Sequence, residues 1–370
     1  MIENAAYMER KESDTDKLFD LLDNYLPWYV RNYFTGSRSL GIKTRLEYAK
    51  DFKTFLLFLT SAHNICAGQS TKEVSLDALN TLNKELIDEY LTWLEEYTVD
   101  GVTRQNDIKG INRKIASLKC IFKYLQANGK IQNNPTILIE CNKLPREESI
   151  TTFSMAQKNE LLNYIKADAH SSADGAVWSS RKEKLHQKTK LRDYAIFMTL
   201  FGTGLRISEL TGIDIDDIDF YHNTIYVHRK GNINTEVYYN EEVSEALIQY
   251  VEEERPSLLK YAQTDDISAS YKEEKAFFLS QKGTRLTDRA LEMRLDTYCD
   301  DLFGGNHPFH PHVCRATYGT ELYNEYSDIK LVADALGHSS IETTSRHYAQ
   351  ATKEHKKMAA SLQIVKDNID

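Results

Sequence analysis

Apolar side chains recur at helical spacing through the first third of the chain. Leu18, Leu21, Leu22, Tyr25 and Leu26 mark one face of a helix expected over 17–34. Tyr48, Phe52, Phe55, Leu56 and Phe58 mark a second, from Lys43 to Ala62. Leu86, Ile87, Tyr90, Leu91 and Leu94 mark a third over 84–96. A fourth is expected to start at Thr103 as N-cap and to end at Asn128, with Gly129 as its stop. Its stripe is Ile108, Ile111, Ile115, Leu118, Ile121, Phe122 and Leu125, and its remaining positions are rich in lysine and arginine.

The pattern changes after residue 140. Residues 140–152 are polar and contain Pro145, which reads as a connection between two domains. Boundaries of 1–142, a linker at 143–152 and 153–370 follow. Ser154 is placed to cap a new helix. Residues 167–190 show no clean period and are expected to form a long loop. A buried helix fits Leu191 to Leu200. The β-rich segments Ile225 to His228 and Thr235 to Tyr239 flank Gly231-Asn232, the signature of a hairpin. Phe277 to Leu279 reads as one more short strand, and helices are expected near 287–302, 312–325, 329–336 and 341–350. The fold class is multidomain, all-α in front and mainly α, α+β behind, with a small β-hairpin or sheet.

Composition narrows the class only a little. With 41% hydrophobic and 27% charged residues among 370, the chain has the make-up of a globular protein. No apolar run approaches a membrane span, and the first residues lack the apolar core of a secretory signal, so no membrane partner and a cytoplasmic location are expected. Cys66, Cys120, Cys141, Cys299 and Cys314 show no C-x-x-C pair and read as free thiols. His307, His310 and His312 cluster, but Pro308 and Pro311 break any regular ligand spacing, so no metal is expected. The net charge of −9 counts against nucleic acid as a partner unless the basic residues gather on one face. Arg104, Lys109, Arg113, Lys114, Lys119 and Lys123 on the fourth helix are such a group. They form either an ordinary solvated face or a set of DNA phosphate contacts.

Four separated segments hold the reactive side chains: Thr203-Gly-Leu-Arg206-Ile-Ser-Glu209-Leu, His228-Arg-Lys230-Gly-Asn, His310-Pro-His312-Val-Cys-Arg315, and Leu336-Gly-His338 leading to His347-Tyr348. Together they supply what cleavage of a phosphodiester by a protein hydroxyl requires. The pentavalent transition state carries about two negative charges, which guanidinium groups can meet with forked hydrogen bonds. A lysine can protonate the leaving oxygen, histidines can donate to the phosphate or accept a proton, and a phenol can form a reversible ester.

In these segments the chain resembles the tyrosine recombinase, or phage integrase, family. The resemblance implies Arg206 and Arg315 as a phosphate clamp and Glu209 as their supporting acid. It implies His312 and His338 as the two histidines, Lys230 as the hairpin general acid, 24 positions after Arg206, and Tyr348 as nucleophile. Tyr348 stands ten residues after His338, where the family's spacing of nine would fall on His347. The hairpin also lacks the usual run of basic residues after Lys230. The helical front resembles the family's core-binding domain. Its Leu26-Pro-Trp-Tyr-Val segment is similar to the single-recombinase Xer proteins. The resemblance further implies double-stranded DNA with a specific site as partner, a homo-tetramer on that DNA, no cofactor, and a final segment from Lys353 that either caps its own domain or docks on a neighbouring protomer. Two other functions stay open on the residues: a type IB topoisomerase-like enzyme, and a non-catalytic DNA-binding accessory protein.

Overall fold

The computed structural model describes residues 5–37, 39–99, 101–143, 151–170, 186–229, 233–264, 274–338, 340, 341 and 344. The chain divides into two compact units, one drawn from Met8–Arg146 and the other from Glu147 onward.

The front unit is built from α1 (Ala5–Asn24), α2 (Arg31–Gly36), α3 (Ile42–Leu57), α4 (Leu76–Asn80), α5 (Lys84–Glu95) and α6 (Ile108–Ala127). Its core is aromatic. Phe34, Phe52, Phe55, Tyr90 and Phe122 are fully buried, and Phe55 meets Tyr90 edge-on with centroids 5.0 Å apart. The helix expected over 17–34 is two helices. Pro27 sits at φ −62°, ψ 151°, an extended conformation that ends the run. The fourth helix starts later than Thr103. Asp107 caps it, its Oδ1 accepting the Gly110 N–H at 2.7 Å, because residues 96–105 form an antiparallel hairpin, β1 (Glu96–Val99) with β2 (Val102–Gln105). Its chemistry is plain in hindsight: Tyr97-Thr98-Val99 and Val102-Thr103 flank Asp100-Gly101, and Gly101 takes φ 75°.

The back unit holds α7 (Met155–Ala169), α8 (Lys190–Thr203), the short α9 (Ile207–Leu210), α10 (Glu241–Gln249), α11 (Arg255–Thr264), α12 (Asp288–Phe303), α13 (Pro311–Tyr326) and α14 (Ile329–Leu336), with α7, α10 and α13 packed on α8, and one sheet. That sheet has the order β3 (Ile218–Asp219), β4 (Thr224–Arg229), β5 (Ile233–Tyr238), all antiparallel. The expected hairpin is present, and its turn residues 230–232 lie outside the described residues. Phe277 to Leu279 is no strand. The segment makes only isolated bridges at its flanks, Asp214 to Ala276 and Leu279 to Arg285. The expected loop over 167–190 begins after α7, and residues 171–185 of it lie outside the described residues, as does most of the helix expected over 341–350. The helical stretch 241–264 went unread. Asn240 caps it, accepting the Val243 N–H at 3.1 Å, and a π-helical turn at Tyr250–Glu254 interrupts its period. Among the described residues no helix is long and apolar enough to cross a membrane.

α8 is buried almost all round, and its first turn is fixed by charge. Glu254 accepts the Leu191 and Arg192 N–H groups at 3.1 and 2.8 Å. Arg192, 2% exposed, forks onto Asp193 Oδ1 at 3.0 and 2.6 Å and donates to Leu279 O at 2.7 Å. Burial pushes the Glu254 carboxyl up from 4.5 to about 7. The folded state then binds a proton that the unfolded chain releases between those values. Glu254 therefore adds stability at low pH, and that contribution is lost as pH rises from 4.5 through about 7. Its contribution to unfolding free energy is expected to fall by on the order of 2–3 kcal/mol between pH 5 and pH 8. Urea titrations of wild type and Glu254→Gln at both pH values check this, since the variant should show a flatter pH dependence.

Candidate active site

The site is assembled at helix ends. α8 terminates on Gly204, which takes φ 63° as a left-handed cap. A Cβ there would stand 2.4 Å from the Tyr318 ring, so the tight turn also needs the absence of a side chain. Arg206 follows as the N-cap of α9. Glu209, in the first turn of α9, folds back onto it. Its Oε2 accepts the Arg206 N–H at 2.9 Å and its Oε1 accepts from Arg206 Nη1 at 2.5 Å.

Glu209 is the hub of the site. Arg315 Nη1 lies 4.0 Å from its Oε2 and Arg229 Nε 3.9 Å from its Oε1. Three guanidinium groups thus surround one buried carboxylate. That leaves a surplus of positive charge, which suits a ligand with more than one negative oxygen. Arg206 is the most open of the three, with its side chain 33% exposed. Arg315 is buried and reaches two helix ends. Its Nη1 donates to Gly204 O at 2.6 Å and its Nη2 donates to Leu336 O. These carbonyls carry the negative ends of α8 and α14, where a cation is favoured.

α13 begins with His310 as N-cap and Pro311 at its first position. His312 and Arg315, three residues apart, share a face. The atoms crowding the His312 ring, then the charges of His310, Arg315 and Arg206, hold it below the ordinary 6.5. The ring is therefore held toward its neutral form, able to accept a proton. α14 ends on Gly337 at φ 60°, and the turn delivers His338, whose N–H donates to Ala333 O at 2.9 Å. Nδ1 of His338 lies 2.7 Å from Thr344 Oγ1.

The structure therefore brings Arg206, Glu209, His312 and Arg315 to one place, with the His338 turn fastened to it through Leu336. Lys230 and Tyr348 lie outside the described residues. Arg229 was missed. It follows Ile225 and Val227 on the inward face of β4, and all three are buried. An arginine at an inward strand position needs a carboxylate, and that parity was visible in the sequence.

The basic group on the front unit is dispersed. Arg104 is on β2, not on a helix. Lys114 is 7% exposed. It donates to Asn106 Oδ1 at 2.9 Å and lies 3.8 Å from Asp51, so it braces the end of the hairpin from inside and is not a surface contact. Its place in the apolar stripe, next to Ile115 and Ile111, hides it. Arg113 binds Asp51 at 2.8 Å and Glu47 at 3.5 Å. Lys109 and Lys123 are exposed and Lys119 is half-buried.

Among the described residues, Asp296, Asp300 and His307 place ligand atoms within 4.8 Å of one another, a spacing that could hold a metal ion. Nδ1 of His307 accepts the Phe309 N–H at 3.2 Å. The ring proton therefore sits on Nε2, which faces the carboxylates at 3.5 and 3.3 Å. In that tautomer Nε2 has no lone pair to offer a cation.

Residues 179–355 match the model of the phage integrase family. Over 325 residues, 88% of this chain and 92% of its relative, the sequence is 28% identical to the tyrosine recombinase XerC of Pediococcus pentosaceus. It is 27% identical to the tyrosine recombinase XerS of Streptococcus agalactiae over 359 residues, 91% of this chain and 96% of that one. The fold resembles the XerH site-specific recombinase bound to its difH substrate, with a TM-score of 0.60, 19% identity, and 91% and 84% of the two chains covered. It also resembles the Tn1549 transposon integrase bound to circular intermediate DNA, with a TM-score of 0.59, 19% identity, and 90% and 98% covered. Both matches span about nine-tenths of this chain, its helical front as well as its mixed back.

Proposed function

We infer that this chain, which carries a phage integrase family domain over residues 179–355, is a site-specific DNA recombinase that cuts and rejoins strands through a 3′-phosphotyrosine intermediate. The observation that carries this is the cluster of Arg206, Arg229 and Arg315 about Glu209, with His312 beside it. A phosphodiester oxygen pair entering beside Arg206 and Arg315 meets fixed positive charge that needs no reorganisation as the transition state forms.

Tyr348 is assigned as nucleophile and Lys230 as general acid, and Arg206 and Arg315 hold the scissile phosphate. His312 takes or shares the phenolic proton and His338 donates to the phosphate. Attack forms the Oη–phosphorus bond and expels O5′, which takes the proton of Lys230. The 5′ hydroxyl of a partner duplex then attacks the ester, returning the phenol. The ester conserves the bond energy, so the cycle needs no nucleotide. Two such rounds within a homo-tetramer on two copies of a specific duplex site complete an exchange. Resolution of chromosome dimers and integration or excision of a mobile element both use this chemistry.

A direct test is to incubate the protein with sheared genomic DNA of its source organism, recover protein-linked fragments after denaturation, sequence them, and map the attached residue by mass spectrometry. Recurrent fragments joined at Tyr348 are expected. Adducts spread without sequence preference, together with relaxation of any supercoiled plasmid, would favour a type IB topoisomerase-like enzyme. No adduct on any fragment would favour a non-catalytic binding protein.

A further inference from the structure

Arg229 has no step of its own in the cycle above, yet it is far less exposed than Arg206. Its guanidinium is 7% exposed. Nη2 donates to Ala335 O at 3.4 Å, and Nε, 3.9 Å from Glu209, is buried with no hydrogen-bond partner among the described residues. It lies so flat against Gly337 that a Cβ on that glycine would stand 1.3 Å from Nη1. One side chain therefore touches two separate parts of the site: the Arg206–Glu209 turn and the helix end that precedes His338.

The His338 turn has fastenings of its own, including Arg315 on Leu336 O and the His338 N–H on Ala333 O. Glu209 already holds Arg206 at 2.5 Å. Neither needs Arg229 to stay in place. The element that gains is the end of β4, where Arg229 is the last residue of the strand. A buried arginine with an unmet donor costs stability, and such a cost is retained where it fixes geometry.

We propose that Arg229 is a positioning residue: it pins the end of β4 to Glu209 and to the Ala335–Gly337 turn, and so sets where the next residue, the general acid Lys230, delivers its proton. This rests on the assignment of Lys230 made above.

The chemistry of the leaving group supplies the test. An alcohol oxygen leaves poorly unless protonated. A thiol is about seven pKa units more acidic and departs as thiolate. In a duplex with sulfur in place of O5′ at the scissile phosphate, the phosphorus–sulfur bond breaks with its pair on sulfur, and no enzymic acid is needed. Single-turnover cleavage is measured on oxygen and sulfur versions of a duplex carrying the site recovered by adduct mapping, for wild type, Lys230→Ala, Arg229→Met and Arg229→Lys.

General acids contribute about 10²–10⁴-fold. Arg229→Met is expected to slow oxygen cleavage by about 10²-fold and sulfur cleavage by less than about 3-fold, in the same sense as Lys230→Ala. Arg229→Lys keeps the charge and the stem, and carries the test if the methionine variant does not fold. It should show a smaller loss with the same sulfur rescue. A defect equal on both duplexes would mean that Arg229 acts on the phosphate or on the fold, and would overturn the proposal, as would full activity on oxygen. A Lys230→Ala defect that sulfur does not rescue would overturn the general-acid assignment itself, and that control separates the two failures.

Discussion

Tyr348→Phe is expected to remove every covalent DNA adduct while leaving noncovalent binding to the same duplex unchanged. The substitution deletes one oxygen, the atom that would become the ester, and keeps the ring. A loss of at least about 10⁴-fold in cleavage is the expected scale when a nucleophile is removed. No tyrosine follows residue 348, and the tyrosines next before it in the sequence are Tyr318, Tyr323 and Tyr326 of α13. Tyr318 is a poor substitute. It packs against Gly204 at the end of α8, and burial raises its phenol further above the ordinary 10. Tyr326, 62% exposed, lies at the last position of α13, eleven residues past Arg315 and three turns along the helix. Tyr318→Phe and Tyr326→Phe should therefore keep wild-type adduct yield. Denaturing gel electrophoresis of protein-linked DNA reads all three. An adduct persisting in Tyr348→Phe, or vanishing in Tyr326→Phe, would refute the assignment. The one-residue displacement of Tyr348 from the family's spacing makes this control necessary.

How far the sequence reaches depends on whether a feature is periodic or is set by one turn. The helix expected near 329–336 matches α14, where apolar spacing, the Asp328 cap and the Gly337 stop all agree. The stretch 241–264 escaped because the π-turn at Tyr250–Glu254 shifts the helical phase half-way. The hairpin over 96–105 was absorbed into the next helix, although β-branched residues flank an Asp-Gly pair. Thr103 resembles an N-cap by type, and only the pairing of Thr98 with Thr103 shows otherwise. The site followed the same rule. Two of the four boxes pointed to Arg206, Glu209, His312 and Arg315, and these side chains lie close together. Charge counted along a helix misled for Lys114, since a lysine inside an apolar stripe is a buried partner before it is a ligand contact. Arg229 needed the opposite inference, from parity on a strand to burial to an unseen carboxylate.

Arg315→Ala should damage the fold and the chemistry together, whereas Arg206→Ala should damage the chemistry nearly alone. Arg315 is 6% exposed and its guanidinium serves the carbonyls of Gly204 and Leu336. Removing it leaves two acceptors unmet at helix ends and takes a cation from beside Glu209. At about 1–3 kcal/mol for each unsatisfied buried group, a loss of roughly 3 kcal/mol is expected. For a unit of this size that corresponds to a melting temperature lower by roughly 6–12 °C. The same guanidinium is assigned to the developing charge on phosphate, where loss of one preorganised donor costs about 10²–10³-fold in cleavage. Arg206 is a third exposed and its hydrogen bonds go to Glu209. Glu209 would still have Arg229 and Arg315 within 4.0 Å after Arg206→Ala, so stability should change by less than about 1 kcal/mol. Arg315→Lys separates charge from shape. A single ammonium cannot reach both carbonyls as the fork does, so the variant should melt between wild type and Arg315→Ala and still lose most of its cleavage rate. Thermal denaturation set beside single-turnover adduct formation decides the matter. If Arg315→Ala melts like wild type, the guanidinium does not hold the two helix ends, and a normal cleavage rate would remove it from the phosphate as well.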